Sequence, residues 1–188
     1  MVARREAVEG PEDLEVVIGP MRRRHLRGVL RIEQQVYPRP WSMGLFMSEL
    51  GFRTGRVYVV ARVGGAVVGY GGLMLVGDDG HITTLAVDPA WHRHKIGARL
   101  LLRLTDAALE RGVKNLTLEV RISNQPAQEL YRRFGFVPAG IRKGYYVETN
   151  EDALVMWAND IDTAAHGARL DAVAGTITGT TVHEELDR

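Results

Sequence analysis

The strongest pattern in this chain is Leu85-Ala-Val-Asp-Pro-Ala-Trp-His-Arg-His-Lys-Ile-Gly-Ala-Arg-Leu-Leu, residues 85–101. It predicts a buried strand, a turn at Asp88-Pro89, a basic loop, and a helix whose apolar face begins at Gly97. A helix N-terminus presents unpaired backbone N–H groups and a partial positive charge, so it can bind an anion. Basic residues 93–95 lie at this end of the helix, so the stretch indicates a pyrophosphate-binding loop. A basic turn before an ordinary core helix is the structural alternative.

Two other pyrophosphate motifs are missing from the sequence. No G-x-x-x-x-G-K-S/T run is present, and no G-x-G-x-x-G follows the first predicted strand. Residues 92–97 instead resemble the acetyl-coenzyme A loop of the GCN5-related N-acetyltransferases (the GNAT family), whose usual form is Q/R-x-x-G-x-G/A. Gly97 matches this form, whereas His92 and Lys95 depart from it, and Lys95 replaces a glycine of the family. Lys95 keeps its backbone N–H and adds an ammonium group that could reach a phosphate.

The segment that follows resembles the family more specifically. Leu118-Glu-Val-Arg-Ile-Ser-Asn124 is followed by Leu130-Tyr131, by Phe134-Gly-Phe136 and by Tyr145-Tyr146. This succession is similar to the RimI-type branch, bacterial enzymes that acetylate the N-terminal alanine of small-subunit ribosomal protein eighteen. The resemblance covers roughly residues 14–160. It implies an α/β GNAT fold, with a mixed central sheet flanked by helices in a single domain.

The resemblance also implies roles for individual residues. Glu119 would be the base that takes the proton of the amine, directly or through one water, and Tyr131 the acid that protonates the departing thiolate. Glu33, on the first predicted helix, is the next candidate for the base. The co-substrate would be acetyl-coenzyme A, and the implied cofactor-binding residues are Leu85, Ala86, Val87, Arg93, His94, Lys95, Ile96, Gly97, Ala98 and Asn124. The implied substrate-binding residues are Trp41, Tyr145 and Tyr146.

Ordinary structural roles remain open for these residues when the pattern alone is considered. Glu119 is predicted on the strand face opposite the leucines, where it could be solvated or paired with Arg121. Tyr131 lies on an apolar helix stripe, as a core tyrosine would. Asn124 could cap the helix that contains Pro126, and proline–tryptophan turns and paired tyrosines are common packing devices.

The composition restricts the chemistry. The chain has 188 residues, a net charge of +1 and no cysteine. A cysteine acyl-enzyme, disulfides and thiolate metal sites are therefore excluded, which favours direct transfer in a ternary complex. The six histidines show no metal-ligand spacing, so no metal is expected. The near-zero charge gives no reason to expect direct binding to nucleic acid or to a membrane.

The domain organisation follows from where periodicity begins and ends. Residues 14–160 are predicted to form the domain, and residues 1–13 and 161–188 to form tails, the second of them mobile and both dispensable for turnover. Within the domain, Ser42 is a predicted helix N-cap and Gly64-Gly65 a predicted hairpin turn. The first residues are charged and contain no signal peptide, so a cytoplasmic location is expected.

The sequence therefore predicts a protein N-terminal acetyltransferase. Its expected partner is the N-terminal segment of a ribosomal protein, and other protein N-termini are possible substrates. One alternative is a GNAT enzyme that acetylates lysine side chains or small amines. A second alternative, from another class, is a catalytically silent coenzyme A-binding or interaction module.

Overall fold

An eight-stranded mixed sheet forms the centre of the computed structural model, which describes residues 14–52 and 54–186. The strand order is β6-β7-β5-β4-β3-β2-β1-β8, in which β4–β5 and β1–β8 are parallel and the other pairs antiparallel. The predicted α/β GNAT fold is confirmed. The elements in chain order are β1 Glu15–Pro20, α1 Leu26–Val36, α2 Met43–Glu49, β2 Arg56–Val63, β3 Ala66–Val76, β4 Asp79–Val87, α3 Ile96–Leu109, β5 Asn115–Arg121, α4 Gln125–Arg133, β6 Val137–Tyr146, β7 Glu151–Ala158, α5 Ala164–Ala174 and β8 Thr180–His183.

Local sequence signals explain several of these boundaries. Ser42 caps α2, because its hydroxyl oxygen accepts a hydrogen bond from the Leu45 backbone N–H at 3.2 Å. Gly64 and Gly65 both have positive φ angles, 54° and 82°, as the tight turn between β2 and β3 requires. In β5 the residues alternate between buried and partly exposed, so that Glu119 lies on the face opposite Leu118 and Val120.

Two apolar clusters cover the two faces of the sheet. On one face α3 packs through Leu100, Leu101 and Leu104, which are fully buried. On the other face α1 and α2 pack through residues such as Ile32 and Phe46. The two helical layers hold the central strands rigidly, and the site residues described below project from this frame.

The sheet is interrupted in its middle. β4 and β5 pair only at Asp79–His81 with residues 115–117, whereas β4 continues to pair with β3 as far as Val87. Beyond His81 the two parallel strands separate, and the side of β4 that faces β5 is left with backbone groups that no strand satisfies. This separation opens a groove in the centre of the molecule.

Residues 161–186 are folded onto the domain, whereas the sequence predicted a mobile C-terminal tail. Residues 164–174 form α5, and β8 pairs in parallel with β1 from Glu15–Thr180 to Ile18–His183. Ile161, Leu170 and Val173 are buried in the core, and this burial offsets the entropy of ordering the segment. The expected N-terminal tail, residues 1–13, lies outside the described residues. None of the helices in the described part of the chain is long and apolar enough to cross a membrane.

Candidate active site

The groove between β4 and β5 consists of two adjoining cavities. The inner cavity has a volume of about 590 Å³, and Glu33, Glu119 and Tyr131 contribute to its lining. The outer cavity, of about 1010 Å³, follows the end of β4, the basic loop of residues 92–95 and the start of α3. Leu85, Asn124 and Tyr131 line both cavities, so a continuous path leads from the basic loop to Glu119.

The carboxylate of Glu119 is held in the inner cavity by two partners. Its Oε2 lies 2.6 Å from Nε2 of His81, and its Oε1 lies 3.1 Å from Nη1 of Arg142. The Glu119 side chain is 8% exposed, whereas that of Arg142 is 58% exposed and reaches in from β6. The proposed base is thus fixed in orientation and still accessible from the groove.

Arg121 does not pair with Glu119, although the two residues share one face of β5. Its guanidinium group binds Glu148 at 2.6 Å and Glu151 at 3.1 Å instead. The alternative of a carboxylate paired with Arg121 is therefore wrong. Arg121 also stacks on the ring of Tyr146, with its guanidinium carbon 3.9 Å from the ring centroid, and so supports the wall of the inner cavity.

Tyr131 projects from α4 into the junction of the two cavities. Its ring packs against Phe136 with 5.9 Å between centroids, yet within the described chain its hydroxyl makes no hydrogen bond. Burial raises its pKa well above the usual value for tyrosine, and the nearby Tyr37 and Tyr146 act in the same direction. The phenol is therefore neutral at physiological pH and has a proton to donate.

Glu33 provides a second buried carboxylate in the inner cavity. Its side chain on α1 accepts a hydrogen bond from the Trp41 backbone N–H at 2.9 Å through Oε1. Its Oε2 is buried and finds no hydrogen-bond partner among the described residues. Burial raises the pKa of Glu33, because the charged form loses its solvation. The structure thus brings both candidate bases to the same cavity.

The three residues expected to contact the substrate line the inner cavity around Glu119. The Trp41 ring packs on Phe46 with centroids 5.2 Å apart, which fixes the connection between α1 and α2. Tyr145 and Tyr146 meet edge to face at 5.1 Å, and the Tyr146 hydroxyl lies 3.5 Å from the backbone oxygen of Glu119. These aromatic rings give the inner cavity an apolar surface beside the Glu119 carboxylate.

The end of β4 supplies the edge along which an extended ligand arm could lie. Leu85, Ala86 and Val87 all line the outer cavity. The Leu85 carbonyl oxygen accepts a hydrogen bond from the Tyr37 hydroxyl at 3.2 Å, so part of this edge is already occupied by a side chain. Asn124 caps α4, since its Oδ1 accepts the Ala127 N–H at 3.2 Å, and it also lines the groove.

The residues of the basic loop differ in where they point. Arg93, Lys95 and the first residues of α3, from Ile96 to Ala98, line the outer cavity. The Arg99 N–H makes the first hydrogen bond of the helix, to the Lys95 carbonyl oxygen, so the preceding N–H groups are free of helical partners. His94 does not line the cavity; its ring packs on Trp91 at 5.5 Å. Contact between His94 and a cofactor stays a prediction.

The model of the acetyltransferase (GNAT) family matches residues 26–136 of this chain. The chain belongs to the GNAT family. It is 39% identical over 137 residues to the putative ribosomal protein bS18-alanine N-acetyltransferase of Bacillus subtilis, covering 73% of this chain and 91% of that relative. The ribosomal protein bS18-alanine N-acetyltransferase of Escherichia coli K12 is 37% identical over 133 residues, covering 70% and 88%. The crystal structure of the Escherichia coli ribosomal-protein-S18-alanine N-acetyltransferase superimposes with a TM-score of 0.70 at 33% identity, covering 77% of this chain and 94% of that one.

The backbone explains why the GNAT loop has glycine where this chain has Lys95. Lys95 has φ = 60° and is the residue that precedes the first turn of α3. A residue with a side chain strains the backbone in this left-handed region by about 1 kcal/mol, and glycine does not. Lys95 therefore carries a backbone strain that a glycine at the same position would not.

His81 is the site residue that sequence reasoning missed in this GNAT protein. It lies in β4, where it is the register partner of Thr117 in β5, and this pairing brings it beside Glu119. A histidine in the strand that precedes the basic loop can be seen in the sequence. Its partner is not visible, because the register of two parallel strands is set by contacts far apart in the chain.

Proposed function

We propose that this GNAT protein transfers an acetyl group from acetyl-coenzyme A to the N-terminal amine of a ribosomal protein that begins with alanine. Two similar proteins are named ribosomal protein bS18-alanine N-acetyltransferases. The single observation that carries the proposal is that Glu119 and Tyr131 both face the groove where β4 and β5 separate. We place the reaction in the cytoplasm, and other protein N-termini are further candidate substrates.

The groove fits acetyl-coenzyme A in its shape and chemistry. When bound, acetyl-coenzyme A supplies a thioester whose carbonyl carbon accepts the amine. The edge of β4 at Leu85–Val87, which pairs with no strand on the β5 side, can hydrogen-bond an extended pantetheine arm, with Tyr37 releasing the Leu85 carbonyl oxygen where the arm needs it. The free N–H groups at the start of α3, with Arg93 and Lys95 beside them, can bind the pyrophosphate. Because the chain has no cysteine, transfer without a cysteine acyl-enzyme is the consistent route.

Glu119 acts in this proposal as the general base. A protein N-terminus has a pKa of about 8, so a carboxylate of modest basicity can accept its proton, directly or through one water. His81 and Arg142 orient the carboxylate at 2.6 Å and 3.1 Å. His81 is thus a positioning residue, since it acts through Glu119.

Tyr131 acts in this proposal as a hydrogen-bond donor to the sulfur of the departing coenzyme A. A free thiol has a pKa of about 8.5, whereas burial holds the pKa of Tyr131 above its usual value, so the phenol keeps its proton at rest. Its hydroxyl therefore stabilises the developing thiolate as a hydrogen-bond donor, and because a thiolate is a weaker base than this phenolate, the sulfur can leave with the proton still shared with Tyr131. The absence of a competing partner among the described residues leaves this hydroxyl available.

The substrate specificity depends on the aromatic residues around Glu119. Trp41, Tyr145 and Tyr146 line the inner cavity around Glu119, where they would contact the first residue of the substrate. The buried, unpartnered oxygen of Glu33 can accept a hydrogen bond from the incoming amine. In this proposal these contacts set the preference for a chain N-terminus.

The test uses a peptide that begins with alanine and contains one internal lysine. Coenzyme A release is followed with a thiol reagent, and mass spectrometry locates the acetyl group; the control is the same peptide with a blocked N-terminus. We expect release only with the free N-terminus. Acetylation of lysine, or turnover of small amines alone, would support the other acetyltransferase activity. Coenzyme A binding without any transfer would identify a silent module.

A further inference from the structure

The segment of residues 161–186 forms one wall of the outer cavity. Val173, near the end of α5, and Thr176, just after it, line this cavity together with Lys95–Ala98 at the start of α3. The Thr176 hydroxyl donates a hydrogen bond to the Val173 carbonyl oxygen at 2.8 Å, which fixes its side chain. A fixed apolar surface and a fixed hydroxyl oxygen thus face the same space as the helix N-terminus.

This wall is anchored to the helix turn that lines the cavity. Arg99, in the first turn of α3, is 1% exposed, and its guanidinium group donates hydrogen bonds to the Thr178 carbonyl oxygen and to the Thr181 hydroxyl. β8 fixes the far end by pairing with β1. Two independent attachments therefore hold the segment at a defined distance from the cavity.

The segment also lies outside the part of the chain that defines the family. The GNAT match ends at residue 136. The Bacillus subtilis relative is aligned over 91% of its own length but covers only 73% of this chain. A role for α5 and the residues after it therefore has to be argued from this chain's own contacts.

We propose that the C-terminal segment is part of the coenzyme A site, with Val173 and Thr176 contacting the nucleotide half of the cofactor. This inference rests on the proposed function. The pantetheine arm would lie along β4 toward Glu119, and the pyrophosphate would bind at the start of α3, so the nucleotide must extend away from Glu119. Val173 and Thr176 line the outer cavity and not the inner one, which places them at that end. Val173 offers an apolar contact for the base, and Thr176 a hydroxyl for a polar group.

The test places a negative charge at the wall. In Thr176→Glu the carboxylate would face the phosphates of the cofactor, and Thr176 is exposed enough for the change to leave the core intact. Ala172→Glu is the matched control, because Ala172 is an exposed residue of α5, four positions before Thr176, that does not line the cavity. Coenzyme A affinity is measured by calorimetry at low and high salt, and kcat/KM is measured with acetyl-coenzyme A and with S-acetylpantetheine, which lacks the nucleotide.

We expect Thr176→Glu to weaken coenzyme A binding by about tenfold at low salt, with a smaller loss at high salt because the charges are screened. Its kcat/KM should fall with acetyl-coenzyme A and stay unchanged with S-acetylpantetheine, and Ala172→Glu should resemble the unaltered protein. Unchanged coenzyme A affinity in Thr176→Glu, or an equal loss with both acetyl donors, would overturn the inference. Failure of the unaltered protein to bind coenzyme A would instead refute the proposed function.

Discussion

Replacing Glu119 by glutamine is the most direct test of the acid–base arrangement. Glutamine keeps the size of the side chain and can still hydrogen-bond His81, but it cannot accept the amine proton. The substitution removes the charge that faces Arg142, but we expect the fold to be retained, because the amide oxygen of glutamine can still accept a hydrogen bond in the same place. Turnover, in contrast, should fall by about 10²–10⁴-fold, equivalent to roughly 3–5 kcal/mol in the barrier.

The pH dependence makes this prediction more specific. A free N-terminus has a pKa of about 8, so about a tenth of the substrate is deprotonated at pH 7 and about nine tenths at pH 9. A variant without a base depends on this fraction, so Glu119→Gln should recover up to about tenfold in turnover over that range. Coenzyme A affinity should change little, because Glu119 lines only the inner cavity.

The assay is single-turnover acetylation of the alanine peptide, so that chemistry and not product release is measured. Glu110→Gln is the matched control, because Glu110 is also ion-paired, with Arg103 at 3.1 Å, but lines neither cavity. Near-normal turnover of Glu119→Gln at neutral pH would remove Glu119 from the mechanism. The same substitution at Glu33, whose Oε2 is unpartnered in the described structure, would then identify the base.

Local signals in the sequence predict several element boundaries and the strand face that carries Glu119, whereas the GNAT fold was predicted from the family resemblance. The alternation of Leu118, Glu119 and Val120 predicts which face of β5 carries the carboxylate, and the structure has that face lining the groove. Ser42 and the Gly64-Gly65 pair mark boundaries because each satisfies a backbone requirement within a few residues. Features of this kind need no knowledge of distant contacts.

The remaining features depend on contacts between distant parts of the chain. The pairing of His81 with Glu119 joins residues 38 apart and follows from the short parallel register of β4 and β5. The unpartnered oxygen of Glu33 becomes evident only when the surrounding side chains are in place. β8 has only four residues, and most of them are exposed, so its sequence pattern does not indicate a strand. Arg99 shows the same limit, because its hydrogen bonds are made with residues about 80 positions later in the chain.

Three further predictions follow from the same contacts. Tyr131→Phe should lower turnover while leaving coenzyme A affinity and the melting temperature nearly unchanged. When it is combined with Glu119→Gln, the loss of turnover should be less than additive if both groups act in one transition state. Additive losses in single-turnover assays would argue that the two groups act in separate steps. Lys95→Gly should relieve the left-handed strain and raise the unfolding free energy in urea by up to about 1 kcal/mol. It should keep coenzyme A affinity within about tenfold, and a larger loss would make the lysine ammonium an essential phosphate ligand. A chain ending at residue 160 should be destabilised, contrary to the expectation of a dispensable tail. It loses the burial of Leu170 and Val173, worth about 3 kcal/mol or more, and the hydrogen bonds that the Arg99 guanidinium group donates to Thr178 and Thr181. If that shortened protein melts at the same temperature and binds coenzyme A as the full chain does, then α5 and β8 add nothing to either the fold or the cofactor site.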